Sequence, residues 1–292
     1  MPNTRDVRTR IKSVKKTAQI TRAMQLVAAS KMKRAQDQAL CGRDYADLMA
    51  EGLAVLSSRV RNFQHPFLIK QRPVKHRGIL FLSSDKGLCG SLNSAVFRCA
   101  SEIEPEPPAR FVAVGRKGAQ FLKRSQRELL AEFHVGDRRP FVDMRPVVEF
   151  IIESFDQGLI DTVEVLYPRF VNTLVQKPVL KPLLPLDGLK AFLKTSSNPK
   201  HTSMTEDSRE MLFEPSPERI LEELLPLYIK KQMFQSILEA KASEHSARMV
   251  AMKAATDNAN DLIENLTLDY NKMRQAAITQ EILEISASSG TA

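Results

Sequence analysis

PERILEELLPLYIKKQMFQSILEAKASEHSARMVAMKAATDNANDLIENLTLDYNKMRQAAITQEILEI, the stretch from Pro217 to Ile285, has no glycine and only one proline past its first residue, Pro226. With glycine absent and proline confined to the first turns, the stretch predicts one long helix. Ser216, Pro217 and Glu218 mark its start: a hydroxyl cap, a proline at the first helical position and an acid facing the helix dipole. Ser286 to Gly290 mark its end. At 1.5 Å per residue such a helix is on the order of 100 Å long, far more than a compact domain can cover, so it needs a partner along much of its length. Met249, Met252, Thr256, Ala259, Ile263, Leu266, Tyr270, Met273 and Ala277 recur in steps of three and four. That period of about 3.5 predicts left-handed supercoiling against another helix. Thr256 and Ala259 stand where a self-associating zipper would carry Ile or Leu, so the partner is expected within the same chain.

The partner is at the other end. Val7, Ile11, Val14, Ala18, Thr21, Gln25, Ala28, Met32, Ala35 and Ala39 repeat the same steps, and Ile20, Met24 and Val27 widen the apolar face. The helical pattern continues through Leu48, Leu53 and Leu56, weakened at Gly42 and Gly52. Residues 1–36 hold ten Lys and Arg against the single acid Asp6, which accounts for the whole net charge of +9. A basic arm of this kind suits nucleic acid or an acidic protein surface. No aromatic side chain or Cys/His module accompanies the charges to favour the first.

From about Arg72 to Glu214 short apolar runs alternate with amphipathic ones. Ile79–Leu82, Phe111–Val114 and Leu130–Val135 read as buried strands, and Ser91–Ile103, Lys117–Arg124 and Val142–Phe155 as the helices between them. Asp161–Pro168 and Thr173–Leu184 add two strands, the second interrupted by prolines and so suited to an edge. An α/β domain with a doubly wound, mainly parallel sheet follows. Lys194–Arg209 reads as a loop back to the long helix. The expected organisation is a shaft helix over 1–60, an inserted α/β domain over 72–214 and a second shaft helix over 216–286, the two helices returning along one another as an antiparallel coiled coil.

The glycine-bearing turns Gly87-Leu88-Cys89-Gly90 and Gly115-Arg116-Lys117-Gly118 follow strands, but neither extends to a dinucleotide fingerprint or a P-loop. Asp85 and Lys86 beside Cys89 imitate an acid and nucleophile, with no histidine near in sequence to act as base; an Asp capping a polar turn is the simpler reading. Three cysteines without a C-x-x-C pair and five histidines without H-x-x-H or H-x-x-x-H spacing predict neither a disulfide framework nor a metal. There is no apolar run of about 18 residues, so no transmembrane span is expected. The N-terminal residues lack the features of a targeting peptide.

Three blocks carry a resemblance. The first runs from Thr4-Arg5-Asp6 through Arg10-Ile11-Lys12-Ser13-Val14-Lys15-Lys16-Thr17 and Ile20-Thr21-Arg22-Ala23-Met24 to Val27-Ala28-Ala29-Ser30-Lys31-Met32. The second is Ser83-Ser84-Asp85-Lys86-Gly87-Leu88-Cys89-Gly90-Ser91-Leu92-Asn93. The third is Ser243-Glu244-His245-Ser246-Ala247-Arg248-Met249 onward to Ala259, with Tyr270-Asn271-Lys272 and Arg274 to Glu281. In combination they resemble the gamma subunit of F-type ATP synthase. The resemblance implies a non-catalytic central rotor shaft with no cofactor, turning inside a ring of alpha and beta subunits, with the α/β domain beside the epsilon subunit and the membrane ring of c subunits. It also implies a place on the cytoplasmic face of a bacterial plasma membrane. By resemblance, Arg274, Gln275 and Thr279 match positions that hold a catalytic-subunit loop, Met24 and Arg248 match positions facing the lower part of the beta subunits, and Leu212, Phe213 and Glu214 match a pattern near the membrane ring. Met273 stands where the family usually has a small residue, and Ser91 where it often has glycine.

Overall fold

The computed structural model describes residues 4–42, 48–49, 52–53, 56, 60, 65, 67–68, 73–137, 139–186 and 214–289, the last six of these as backbone only. It has two compact units: residues 1–29 with 248–292, and residues 30–247.

The first unit is a pair of helical segments. Helix α1, Thr4–Cys41, supplies one, and the last and longest helix of the chain, Pro217–Ser289, supplies the other. Val7, Ala18, Thr21 and Ala28 are buried on the first, and Met252, Thr256 and Ala259 on the second. Ile11, Val14, Gln25, Met249, Ile263, Leu266, Tyr270 and Met273 are half-buried, while Ala277 is exposed. The three- and four-residue steps read from the sequence are therefore the steps of burial. At the middle of the seam the hydroxyls of Thr21 and Thr256 meet at 2.7 Å, and each also reaches a carbonyl of its own helix, Ala18 at 3.1 Å and Met252 at 2.8 Å. Small and polar seam residues pack here because the two hydroxyls satisfy one another. The second strip is different: Ile20 and Val27 are exposed.

In the second unit, strands β1 (Arg77–Leu82), β2 (Ala109–Val114), β3 (Glu128–Phe133), β4 (Thr162–Phe170) and β5 (Gln176–Leu184) form one sheet in the order β3-β2-β1-β4-β5. The first four are parallel, and β5 runs antiparallel to β4 at the edge. Its prolines Pro178 and Pro182 stand opposite Pro168 and Glu164, where an edge tolerates the missing donors. Helices α2 (Leu92–Ser101), α3 (Arg116–Arg124) and α4 (Pro140–Asp156) are the crossovers, and the long C-terminal helix is α5.

Residues 79–82 of β1 and 111–114 of β2 are apolar at every position because both faces are covered. Ile79, Phe81, Phe111, Ala113 and Leu166 pack with Val96 and Ala100 of α2 and Ala119 and Leu122 of α3. Leu80, Leu82, Val112, Val114, Val163 and Val165 join a core with Val147, Val148 and Ile151 of α4 and Leu221, Leu225, Tyr228, Met233 and Ile237 of α5. The start of α5 thus covers the sheet, and α5 contributes to both compact units. It begins as expected: the Arg219 N–H donates to the Ser216 hydroxyl at 3.3 Å.

Helix α1 ends at Cys41, and Gly42 is a turn. A side chain at Gly42 would collide with Lys231 on α5. Beyond it Leu48, Met49, Gly52, Leu53 and Leu56 are again helical, and Leu53 and Leu56 are buried in the core that α5 shares with the sheet. Helical character continues past Gly42, as its periodicity predicts, but as a separate piece. The apolar side chains there are drawn under the sheet. The Lys194–Arg209 loop lies outside the described residues.

Candidate functional site

An open α/β sheet of this order places any ligand at the carboxyl ends of its strands, where the connections from β1 diverge. Here α5 fills that crevice. Ile237, Ala240, Lys241 and Glu244 line it together with Ser83, Ser84 and Leu92, leaving a cavity of only about 20 Å³. That is room for a water and nothing larger.

The two glycine turns are packing devices. The Gly118 N–H donates to Ser83 Oγ at 2.8 Å, and a Cβ on Gly118 would fall 2.5 Å from that oxygen and 2.6 Å from the Phe81 ring. The contact a phosphate oxygen would make at a nucleotide-binding turn is made by a serine of the chain itself. In the other turn Leu88 and Gly90 have φ of 62° and 59°. Its interior is tied by Ser84, whose Oγ donates to the Lys86 carbonyl at 2.8 Å and accepts from Asn93 Nδ2 at 2.7 Å.

Asp85 has the capping role suggested by its turn, but toward another element: Oδ1 accepts from the Arg116 N–H at 3.2 Å, at the start of α3. The fold also brings it a histidine that sequence distance hid, with His134 Nδ1 at 3.0 Å. Cys89 is buried, 2% exposed, with its sulfur accepting from Asn93 Nδ2 at 3.3 Å. It is a packed thiol without access to a substrate, not an exposed nucleophile.

The residues assigned to partner contacts are distributed along the helices. Met24 and Arg248 are half-buried; Arg274, Gln275 and Thr279 are exposed, as are all described side chains from Arg274 to Leu283. The Thr279 hydroxyl donates to the Gln275 carbonyl at 2.9 Å, one turn back. Ile278, Ile282 and Leu283 are 48%, 59% and 62% exposed on this last stretch of α5, and Leu268 is exposed below them. Ile20, Leu26 and Val27 add exposed apolar area on α1. These apolar side chains are available for contact with another chain. Of the third group, Glu214 is exposed, while Leu212 and Phe213 lie outside the described residues. Among the described residues, no helix is long and apolar enough to cross a membrane.

A second cluster of charged side chains has no signature in the sequence. Lys31, Asp137, Lys241 and His245 meet within the second unit, with Asp137 Oδ2 2.8 Å from Lys31 Nζ and its Oδ1 3.3 Å from His245 Nε2. These residues come from three distant segments and follow no spacing rule, so no local signal could have joined them.

A family model described as ATP synthase matches residues 3–291. The ATP synthase gamma chain of Opitutus terrae is 54% identical over 99% of this chain and 98% of its own length. That of Akkermansia muciniphila is 42% identical over the same shares. Among solved structures, the rotor of the Euglena gracilis mitochondrial ATP synthase contains a chain with a TM-score of 0.66 at 18% identity, covering 94% of this chain and 98% of that one. A chain of the Tetrahymena thermophila central stalk and c-ring gives a TM-score of 0.57 at 25% identity, covering 81% and 99%. Matched from end to end at such identity, the chain belongs to the family of ATP synthase gamma chains.

Proposed function

We propose that this chain is the central rotor shaft of an F-type ATP synthase. It couples ion flow through a membrane ring of c subunits to ATP synthesis or hydrolysis in a ring of alpha and beta subunits. The observation that carries the reading is the end-to-end match to gamma chains. The architecture suits it: a helix of 73 residues, paired over much of its course with α1 and ending in an exposed apolar stretch. The chain is non-catalytic, since a shaft needs stiffness and contact surfaces rather than a reacting group, and α5 occupies the crevice where a nucleotide would bind. It works as a peripheral subunit on the cytoplasmic face of the bacterial inner membrane, beside the epsilon subunit.

Arg274, Gln275 and Thr279 grip a catalytic-subunit loop, and Met24 and Arg248 face the lower part of the beta subunits. An apolar sleeve lets the tip at Ile278 and Ile282 turn with few directional bonds. The guanidinium of Arg274 makes charge-assisted bonds at a particular angle and so favours resting positions. Leu212, Phe213 and Glu214 meet the membrane ring or epsilon. Glu214→Lys is expected to lower ATP-driven ion pumping in membranes, and unchanged pumping removes that contact.

The test of the whole reading is co-purification with alpha and beta subunits, and the isolated chain should not turn over ATP. Steady ATP hydrolysis by the purified chain would instead make it an enzyme. A salt-dependent, sub-micromolar DNA complex that alpha and beta subunits do not displace would make the basic arm of α1 a nucleic-acid surface.

A further inference from the structure

Asp137 sits in the connection from β3 to α4, at the carboxyl edge of the sheet. Its loop is pinned, for the neighbouring Gly136 N–H donates to Asp143 Oδ2 in the first turn of α4 at 2.9 Å. The carboxylate then faces outward to two helices at once. One oxygen lies 2.8 Å from Lys31 Nζ on α1, and the other lies 3.3 Å from His245 Nε2 and 3.5 Å from Lys241 Nζ, both on α5. Lys241 continues the chain of charges to Asp85 and Glu244, each at 3.9 Å, and Asp85 meets His134.

Two properties separate this cluster from an ordinary surface ion pair. Lys241 and His245 keep only 14% and 5% of their side-chain surface exposed, so their contacts with Asp137 are less screened than a surface pair's, while Lys31, 45% exposed, is the solvent-facing arm. A bond to a charged group in such a place is also worth more than a neutral one. Second, the three partners reach the carboxylate from two different helices, which fixes an angle and not only a distance. Sliding or rotating α1 on α5 by one residue would carry Lys31 away while His245 stayed. A slide by one whole turn, which would also carry Lys31 away, is the shift that apolar packing alone tolerates, because it exchanges the small buried residues Ala35 and Ala39 of α1. Arg34 and Gln38 line the same cleft, of about 300 Å³, with no ion pair to Asp137.

We propose that Asp137 is a positioning residue that fixes the register and angle of α1 on α5 and on the sheet. Its consequence, that torque applied to the α/β layer reaches both helices together, rests on the rotor reading above. The positioning itself does not.

The test is amide hydrogen exchange on the full-length chain, followed by activity in the assembled synthase. Asp137→Asn keeps the size of the side chain and removes its charge. It is expected to lower protection factors in α1 from Ser30 to Cys41 on the order of tenfold, leaving β1 and β2 unchanged. Asp137→Glu should restore protection to within about threefold, because it restores the charge-assisted bonds. Arg34→Met, in the same cleft, should have no effect. In membranes the Asn variant should pump fewer ions per ATP hydrolysed, with the Glu variant recovering. Unchanged protection in the Asn variant overturns the proposal, and so does an equal loss across the sheet, which would mean general destabilisation. Lost α1 protection in the Asn variant, with an unaltered parent chain that does not enter a synthase, supports the positioning and overturns the rotor reading instead.

Discussion

Asp137 shows how a single carboxylate becomes sensitive to acid. The His245 N–H, the Lys31 ammonium and the nearby Lys241 charge hold it well below the usual carboxylate range, against the opposing effect of partial burial. A group whose folded-state pKa is depressed stabilises the fold fully above its unfolded value of about 3.9, and loses that contribution progressively as pH falls from there through the folded-state value. Asp137→Asn should therefore lower the urea midpoint of the second unit at pH 7, and the difference from the parent should begin to narrow below about pH 4 and go on narrowing as the pH falls further. A constant difference across that range would mean that the loss is steric. Gly118 makes a different demand, on space. With Ser83 Oγ and the Phe81 ring already within 2.6 Å of where a Cβ would sit, Gly118→Ala must displace the start of α3 from β1. A cost of about 1–3 kcal/mol is expected in chemical denaturation, typical of overpacking.

At the scale of elements, the seam between α1 and α5 has a polar centre whose worth can be measured. Thr21 and Thr256 bond to each other across the seam, and each has a carbonyl in its own helix as well. Replacing one by Val leaves the other hydroxyl buried with only its helix carbonyl to bond, at a cost of about 1 kcal/mol. Replacing both removes the polar pair and puts branched apolar side chains in the seam. The double variant should thus be less destabilised than the two single ones added together, with a coupling of about 0.5–1.5 kcal/mol in a thermal or urea double-mutant cycle. Helix α5 itself changes role along its length. From Leu221 to Ile237 its buried side chains face a sheet, while from Met252 to Ala259 they face a helix in the steps of a supercoiled pair. Steps of three and four serve both surfaces, so the sequence marks the helix but not the change of partner.

For the molecule as a whole, the exposed end of α5 provides the sharpest test of the rotor reading. Arg274 and Gln275 are solvent-exposed, so the fold is not expected to depend on their side chains. Changing both to Leu should leave helix content and thermal stability nearly unchanged, within about 0.5 kcal/mol for surface positions. ATP turnover or assembly of the complex with alpha and beta subunits should fall. Full turnover with normal assembly would place the grip elsewhere. The sequence by itself determined the two long helices, their three- and four-residue seam, and the strands and crossovers of a mainly parallel sheet with a proline-bearing edge. These follow from local periodicity, turn residues and caps, which act over a few residues and are written in order along the chain. The tertiary structure alone decided that the start of α5 fills the sheet's ligand crevice, that His134 faces Asp85, and that Lys31, Asp137, Lys241 and His245 converge. Each of these is a contact between segments far apart in the chain. Which side chains meet there depends on how closed layers pack against one another, and no residue spacing encodes that.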